Sequence, residues 1–435
     1  MKPSKLTPSP TGSILTETAV DPRKYGIMIE VQGERLLADL RALAEFGKEG
    51  TGVNRLSFTP EDLAARDWLI ERMQAAGLVA KIDGVGNVYG RSPSQSRAVL
   101  IGSHTDTVPS GGWLDGAMGV MYGLEIARAS IEAGADAAVG VDVISFADEE
   151  STFCGTLGSR SFVGEVGETE IATAHNLEGL ALTDALARAG YADRPHARLD
   201  RDRHVAYLEA HIEQGPRLEA AATRIGMVTS IVGIRRMEVI FRGQSDHAGT
   251  TPMAMRKDAG AALIRYAGAV LDGFDAVGGP DSVWNFGHVI FEPGAGNVVP
   301  REARILIEYR DTTMAIMDRM EAVIRGAATA AHAAGAVAVE ARPMMAIAPA
   351  DMDPALGRLM DGAAAELKAS AMYMPSGAGH DAQHLANHVP TAMMFIPSIG
   401  GRSHDTAENT EEADIVLGLR VLAATVTKIG NQVRS

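Results

Sequence analysis

Five short segments of the chain place histidine and acidic residues beside small residues. They are GSHTDTVPSGGWLDGAMG (102–119), ADEEST (147–152), LEAHIEQG (208–215), SGAGHDA (376–382) and GGRSHDTAE (400–408). Imidazole and carboxylate groups are the ligands that zinc, manganese, cobalt and nickel take in proteins. Most of the segments fall at predicted strand ends or in loops, where polar groups from distant parts of a chain can converge. The pattern therefore predicts a metal site.

Three imidazoles and two carboxylates in these segments could hold two divalent ions, with one carboxylate bridging them. The five residues are His104, Asp115, Glu150, His211 and His404. Two ions ~3.5–4 Å apart can hold a water between them and lower its pKa. Asp106 could orient the imidazole of His104 with its carboxylate. A hydrolase also needs a general base, and Glu149, next to Glu150, is the candidate.

Each of these signals alone has a structural alternative. A histidine at a strand end is usually a satisfied polar residue, and paired acids are usually a solvated turn. Cys154 is expected to be a small buried residue and not a nucleophile, since no motif places a base beside it. The same structural interpretation is given to the histidines that lie outside the motifs, which are His175, His196, His204, His332 and His384.

Apolar periodicity predicts the elements that could position these segments. AVLIGSH (98–104) and VGVDVISFADEE (139–150) are apolar runs that end in polar residues, and helical spacing covers 30–47, 60–77 and 116–133. Strand, helix and strand in this order predict an α/β sheet with some parallel strands. Sites in such sheets form at the carboxyl ends of the strands.

A second pattern covers residues 232–345, where two helices alternate with four strands. The strands are expected at 235–242, 282–292, 303–310 and 336–343, and the helices at 253–272 and 314–334. The order β-α-β-β-α-β is that of a ferredoxin-like α+β unit. Because this unit interrupts the chain, residues 26–231 and 346–435 are expected to form one catalytic domain. Residues 1–25 are expected to be a flexible tail.

Composition limits the class of protein. The chain has 435 residues, which suggests more than one domain, and 46% apolar residues, which is typical of a soluble globular protein. The net charge of −15 argues against nucleic acid and anionic membranes as partners. One cysteine cannot form an internal disulfide and fits a reducing compartment, expected to be the cytoplasm. No apolar run reaches ~18 residues, so no membrane-spanning helix is expected.

The order HTD…LDG…DEE…HIEQG…SHD resembles the M20-type dinuclear metallohydrolases. HIEQG, DHAGTTPM (246–253) and SGAGHDA are similar to the hydantoinase/carbamoylase branch, which contains N-carbamoyl-L-amino acid hydrolases, β-ureidopropionases and allantoate amidohydrolases. The resemblance implies a mixed-sheet, zinc-peptidase-like catalytic domain with an inserted ferredoxin-like lid. In the family this lid also forms the interface of a homodimer.

The resemblance assigns a role to each metal-binding candidate. His104, Asp115 and His211 would bind one ion, Asp115 would bridge, and Glu150 and His404 would complete the second site. The sequence departs from the branch at Ser151, where glycine is more usual, and at Asp148, which adds an acid before the pair. Both departures keep every ligand.

The remaining roles implied by the resemblance concern the base and the substrate. Glu149 would be the general base. On the lid, His247 would stabilise the tetrahedral intermediate, often across the dimer, while Asn297 and Arg310 would bind substrate, with Arg310 holding its carboxylate. Gln214 and His380 would lie near substrate and metals. From the residues alone, Arg310 could instead pair with Asp311 or another acid, and Asn297 could be an ordinary turn residue.

These residues together predict hydrolysis of the carbamoyl (ureido) C–N bond of an N-carbamoyl amino acid. A metal-bridging hydroxide would attack, and amino acid, CO₂ and ammonia would be released. Three alternatives stay open. One is a related reaction on allantoate, an N-acyl amino acid or a short peptide, another is a mononuclear metal enzyme, and the third is a metal-free binding protein.

Overall fold

The computed structural model describes residues 29–93, 96–134 and 139–434. The predicted tail, residues 1–25, lies outside them. The helices are α1 (Gly33–Ala44), α2 (Pro60–Ala75), α3 (Ala117–Glu132), α4 (Leu157–Val163), α5 (Glu168–Thr173), α6 (Leu182–Arg188), α7 (Arg217–Ala220), α8 (Ala259–Val277), α9 (Met314–Ala333), α10 (Pro354–Glu366), α11 (Ala382–Leu385) and α12 (Glu412–Arg434). None of these described helices is long and apolar enough to span a bilayer.

The strands fall into a large mixed sheet, a four-stranded antiparallel sheet and a short hairpin. They are β1 (Lys48–Glu49), β2 (Gly52–Val53), β3 (Val79–Ile82), β4 (Val88–Arg91), β5 (Ala98–His104), β6 (Gly140–Phe146), β7 (His204–Ile212), β8 (Ile225–Ile231), β9 (Gly233–Arg242), β10 (Val283–Glu292), β11 (Glu302–Asp311), β12 (Ala338–Ile347), β13 (Ala350–Asp351), β14 (Ala371–Ser376) and β15 (Thr391–Ile396).

The large sheet has the order β13-β8-β15-β7-β5-β6-β4-β3, with β14 paired to β8. Strands β15, β7, β5 and β6 run parallel, and β4 and β8 join them in the antiparallel sense. All seven residues of β5 and all seven of β6 are buried. Continuous apolar strands of this kind are typical of parallel sheets covered on both faces. The prediction of a mixed α/β sheet is therefore confirmed.

The carboxyl ends of the parallel strands meet at one edge of the large sheet. His104, at the end of β5, lies opposite Phe146 of β6, and Ile212 of β7 lies opposite Ile396 of β15. The loops that follow β6 and β15 carry residues 147–150 and 397–408. The segments that follow β5, β6, β7 and β15 are thereby brought to the same edge, as the rule for α/β sheets requires. The fifth segment, 376–382, follows β14, which runs in the opposite direction, and it reaches the site through the packing of His380 on His211.

The antiparallel sheet has the order β10-β11-β9-β12, with α8 and α9 packed on one face. Residues of β11 alternate strictly between buried and partly exposed, which is the pattern of a sheet with one covered face. Its apolar core is separate from that of the large sheet. The predicted β-α-β-β-α-β order and the ferredoxin-like class are confirmed, while the division into domains at 232 and 345 stays a prediction.

The start of the first helix in this unit was predicted wrongly. Helical spacing suggested a start at residue 253, but Met253–Met255 form one 3-10 turn and α8 begins at Ala259. The side chain of Asp258 accepts a hydrogen bond from the Ala261 N–H at 2.9 Å, which caps the helix at that point. A cap residue fixes the first turn more strongly than apolar spacing does.

Candidate metal centre and active site

His104, Asp115 and His211 form a buried cluster at the carboxyl edge of the large sheet. Asp115 Oδ1 lies 3.0 Å from His211 Nε2 and 3.9 Å from His104 Nε2. The Nδ1 atom of each histidine lies 2.9 Å from a backbone carbonyl oxygen, of Asp106 for His104 and of Ile212 for His211. A proton on Nδ1 that is donated to a carbonyl leaves Nε2 with a lone pair, which is the tautomer that a metal ligand needs.

The expected role of the Asp106 carboxylate was wrong in its detail. The backbone carbonyl of Asp106, and not its side chain, orients His104, because its Oδ1 atom is 3.7 Å from His104 Nδ1. Oδ2 instead accepts hydrogen bonds from Ser57 Oγ at 2.9 Å and from the Glu150 N–H at 3.1 Å. The side chain therefore fixes the backbone of the loop that carries Glu149 and Glu150.

A second cluster shares Asp115 with the first. Oδ2 of Asp115 lies 3.3 Å from His404 Nε2, and Glu150 Oε1 lies 3.4 Å from the same nitrogen. The two oxygens of Asp115 thus face different groups of candidate ligands, as a bridging carboxylate would. Gln214 Nε2 donates to both oxygens at 3.3 and 3.1 Å. The geometry agrees with the predicted sharing of Asp115 between two sites.

Glu149 and Glu150 form a third group of candidate ligands with His104. Glu149 Oε2 is 3.7 Å from His104 Nε2. Burial raises the pKa of Glu149 well above its ordinary value, and the Glu150 and Asp381 carboxylates add to this while His104 opposes it. Glu149 is therefore a carboxylate with raised proton affinity beside the other ligands, which is what a general base requires.

The electrostatics of the two clusters suit a cation. Hydrogen bonds to Asp115 and Glu150 raise the pKa of His404 to about 10. Burial would lower the pKa of His104, but the carboxylates of Glu149, Asp106, Glu150 and Asp115 raise it well above its ordinary value. A field that holds a proton on imidazole also attracts a divalent ion. With three imidazole nitrogens and carboxylate oxygens converging, these residues fit zinc, manganese, cobalt or nickel.

Three residues of the site, Gly116, Gln214 and His404, have backbone conformations with a positive φ. Gly116 has a φ of 63°, and a Cβ built on it would lie 2.4 Å from the ring of His104, so a side chain cannot fit there. Gln214 and His404 have φ values of 58° and 54°, in the left-handed region that non-glycine residues rarely adopt. Backbone strain of this kind is concentrated at functional sites.

Glu408 was missed in the sequence, although it supports the predicted bridging ligand. Its buried Oε1 accepts hydrogen bonds from the backbone N–H groups of Leu114 and Asp115 at 3.1 and 3.0 Å. Ser403 Oγ lies 2.8 Å from Glu408 Oε2 and 3.2 Å from Asp115 Oδ2. A Cβ on Gly112 would lie 1.9 Å from this carboxyl group. Two features of the sequence could have identified Glu408: the glycine at 112 and the glutamate in the segment SHDTAE.

We expect Glu408→Gln to weaken metal binding by roughly 10- to 100-fold, the usual effect of removing a residue that orients a ligand. The amide keeps one acceptor oxygen but replaces the other with an amino group, which cannot accept the hydrogen bond from Ser403 Oγ. Metal affinity would be measured by titration of the metal-free protein. Glu412→Gln, an exposed change on the next helix, serves as the control. Equal affinities in the two variants would show that Glu408 does not support the ligands.

A cavity of about 910 Å³ opens from the clusters towards the antiparallel sheet. Its wall includes Gln214, His380 and Arg310, three of the predicted substrate-binding residues. His380 is buried, its Nε2 lies 2.9 Å from Ser376 Oγ, and its ring centroid is 4.6 Å from that of His211. Burial lowers the pKa of His380 well below its ordinary value, and the proximity of His211 adds to this, so the imidazole is neutral.

Arg310 extends from the antiparallel sheet to a loop of the large sheet. Its Nη1 donates to the backbone carbonyl of Gly377 at 2.9 Å, and its Nε and Nη2 donate to Glu308 Oε1 at 3.0 and 2.7 Å. The alternative of a salt bridge to an acid is therefore confirmed, but the acid is Glu308. Asp311 instead accepts hydrogen bonds from Ser282 and Thr313. Arg310 therefore faces the same cavity as the metal ligands.

His247 and Asn297 do not join the site within one chain. Both are exposed on the antiparallel unit, and neither lines the cavity. His247 Nδ1 accepts hydrogen bonds from the backbone N–H groups of Gly249 and Thr250 at 3.0 and 3.2 Å. The loop is fixed by the bridge between His247 and Val298. Their predicted roles would need a second copy of the chain or closure of the lid, and they stay predictions.

Several residues outside the predicted site have defined positions. Cys154 lines the cavity, but burial raises its pKa to about 12, and Glu170 adds to this, so it is a neutral thiol. Asp148 accepts hydrogen bonds from the backbone N–H groups of residues 153 and 154 and holds the loop after β6. His204 Nε2 lies 3.2 Å from Asp142 Oδ2 in the core, as its structural interpretation implies. His384 was given the same interpretation, but it lines the cavity.

The fold and the site define a metal-dependent hydrolase. Residues 100–428 match the family model described as Peptidase family M20/M25/M40. The chain is 35% identical over 412 residues to an N-carbamoyl-L-amino-acid amidohydrolase of Paenarthrobacter aurescens, covering 90% of this chain and 97% of that one. It is 35% identical over 389 residues to the allantoate amidohydrolase of Escherichia coli (strain K12), covering 88% and 94%.

Solved structures give the same result. An amidase of the hydantoinase/carbamoylase family from Burkholderia phymatum superposes with a TM-score of 0.86 at 47% identity, covering 93% of this chain and 99% of that one. The chain therefore belongs to the peptidase family M20/M25/M40, within its hydantoinase/carbamoylase branch. The relatives from P. aurescens and E. coli are named amidohydrolases, and the chain is a hydrolase of C–N bonds in linear amides.

Proposed function

We propose that the chain hydrolyses the carbamoyl C–N bond of an N-carbamoyl amino acid and releases amino acid, CO₂ and ammonia. The observation that carries this proposal is that Arg310 lines the same cavity as Glu149 and the two clusters around Asp115. A guanidinium grips a carboxylate with parallel hydrogen bonds. A small ureido acid would thus be held at its carboxylate while its carbonyl reaches the ligands.

The clusters would hold two divalent ions, one with His104, Asp115 and His211 and the other with Asp115, Glu150 and His404. Bound there, such ions would polarise the ureido carbonyl and lower the pKa of water. Zinc, manganese, cobalt and nickel all suit this ligand set.

The protein's own groups would move and orient the reacting atoms. Glu149 would take a proton from the attacking water and return it to the leaving nitrogen, a transfer that its raised pKa favours. Gln214 Nε2, already directed at Asp115, and the neutral His380 would orient the substrate beside the ligands. His247 and Asn297 of a second copy would complete the site, with His247 donating to the developing oxyanion.

Allantoate is the second candidate substrate. The relatives from E. coli and Bacillus subtilis (strain 168) are named allantoate amidohydrolases, at 35% and 33% identity. Allantoate also carries a carboxylate and a ureido group, so the same anchor and the same base would serve it. An N-acyl amino acid or a short peptide is less favoured, since the lid segments HAGTTP and GAGN are similar to those of the ureido branch.

The proposed function is tested by removing the metals with a chelator and adding back Mn, Co, Ni or Zn singly. Each form is assayed for ammonia release from N-carbamoyl-L- and D-amino acids, N-carbamoyl-β-alanine and allantoate, and for free amine from N-acetyl and N-formyl amino acids. Metal-dependent ammonia from an N-carbamoyl amino acid is the expected result. Ammonia from allantoate alone selects the second candidate, and free amine without ammonia would refute both.

Arg310→Ala is expected to raise KM for carboxylated substrates by roughly 10- to 100-fold, since charge-assisted hydrogen bonds to the carboxylate are lost. The change in kcat should be smaller, because the carboxylate is bound in both ground and transition states. Arg304→Ala, on the same strand but outside the cavity, is the control. A KM equal to that of the control would mean that the carboxylate is held elsewhere.

We also propose that the enzyme works as a homodimer in the cytoplasm. The exposed positions of His247 and Asn297 support a dimer, since neither residue lines the cavity of its own chain. The single cysteine supports a reducing compartment. The mass of the protein in solution tests the first point.

A further inference from the structure

The face of the antiparallel sheet that is not covered by helices carries the same three-residue arrangement twice. In each copy, a glutamate on β11 bonds the arginine two residues later on β11 and an arginine opposite on β9. The register pairs Glu302 with Arg242 and Glu308 with Arg236. The two sets are Arg242–Glu302–Arg304 and Arg236–Glu308–Arg310.

Only the second set lines the cavity. In it, one oxygen of Glu308, Oε1, accepts from Arg310 Nε and Nη2, while Oε2 accepts from Arg236 Nε at 3.2 Å and from Arg236 Nη2. Glu308 is partly buried. The two guanidinium groups hold its pKa below the ordinary value although burial opposes this, so it stays charged. Arg236 thus holds Glu308 in the position from which it contacts Arg310.

The hydrogen bonds of Arg310 determine which of its N–H groups remain for a ligand. A guanidinium has five N–H groups in one plane. Glu308 takes the one on Nε and one on Nη2, and the carbonyl of Gly377 takes one on Nη1. One N–H on each terminal nitrogen is left, and a carboxylate has two oxygens to accept them. The plane of the guanidinium is therefore fixed by Glu308 on the antiparallel sheet and by the Gly377 carbonyl in the loop after β14.

We propose that Glu308, held in place by Arg236, is a positioning residue that orients the Arg310 guanidinium for the carboxylate of the substrate. This inference rests on the proposed function, in which Arg310 binds that carboxylate. Without Glu308, the Arg310 side chain would keep only the Gly377 contact and could turn about its long stem. Binding would then require ordering of a side chain that the native protein holds ready.

The experiment compares Glu308→Ala with Glu302→Ala, which removes the same charge from the same strand in the copy outside the cavity. Both variants and the wild-type enzyme are assayed with the N-carbamoyl-L-amino acid that the wild type hydrolyses fastest and with the primary carboxamide of the same compound. Thermal unfolding of each variant verifies that it is folded. Glu308 lies on the open face of the sheet and is not part of its apolar core, so its removal leaves that core intact.

Glu308→Ala is expected to raise KM for the carboxylate substrate roughly tenfold, with kcat within about twofold, and to leave the carboxamide unaffected. Glu302→Ala should match the wild type on both substrates. Unchanged KM in Glu308→Ala would overturn the inference alone. A lower KM would also overturn it, because Glu308 would then be a competitor for Arg310. A wild-type enzyme that does not prefer the carboxylate would instead overturn the role of Arg310 on which the inference rests.

Discussion

Glu149→Gln is expected to lower kcat by roughly 10²- to 10⁴-fold while metal content and KM stay close to those of the wild type. The amide occupies nearly the same volume and can still accept a hydrogen bond, but it cannot take a proton from water. Glu149 lies 3.7 Å from His104 and belongs to one of the groups of candidate ligands. Metal analysis of the purified variant must therefore accompany the kinetics.

Glu168→Gln is the matched control for this prediction. Glu168 is exposed at the start of α5 and does not line the cavity, so the same chemical change there should leave turnover unaltered. A Glu149→Gln variant with full metal content and wild-type turnover would refute the assignment of Glu149 as the base. Loss of metal together with activity would make Glu149 a ligand instead.

Asp115→Ala is expected to abolish binding at both proposed metal sites, and activity with it. The two oxygens of Asp115 face different ligand groups, so one substitution removes a ligand from each. His211→Ala and His404→Ala should each disturb one site, leaving about one ion of the two expected from the paired clusters. The measurement is the metal content per chain after dialysis against buffer that contains the ion.

The pattern across the three variants separates a dinuclear from a mononuclear centre. If the wild type binds one ion and His404→Ala keeps it, the second cluster does not bind a metal. If Asp115→Ala still holds one ion firmly, Asp115 does not bridge. His204→Ala is unsuitable as a control, since His204 contacts Asp142 in the core and its loss would disturb folding. His332→Ala, at the exposed end of α9, is the appropriate one.

Apolar runs and motif order predicted the parts of the structure that local sequence determines. The strand predicted at 98–104 has those bounds, and the helix predicted at 60–77 forms over Pro60–Ala75 with Thr59 as its cap. The five candidate ligands were identified because each follows or ends a recognisable segment, and the parallel sheet then places them at one edge. Periodicity and cap residues act within a few positions of each other, which is why these features can be read from one sequence.

The features that were missed depend on contacts between distant segments. Glu408 bonds the backbone at 114 and 115, and the Glu308–Arg236 pair depends on the register of β9 against β11. His384 has no motif and lines the cavity only because α11 packs beside the loop after β6. No pattern within a single segment reports such contacts, since strand register and loop approach are decided by tertiary packing.

The position of β15 in the large sheet has a consequence for biosynthesis. This strand lies between β7 and β8, which are made much earlier in translation. About 160 residues separate the end of β8 from the start of β15, so at a ribosomal rate of ~5–20 residues per second the growing chain waits roughly 8–32 s for the strand that joins them. During that time the edges of β7 and β8 are open to pairing with other chains. His404 emerges later still, so the complete ligand set forms only after β15 has been made. Expression yield should therefore be sensitive to chaperone supply and to temperature before metal supply has any effect.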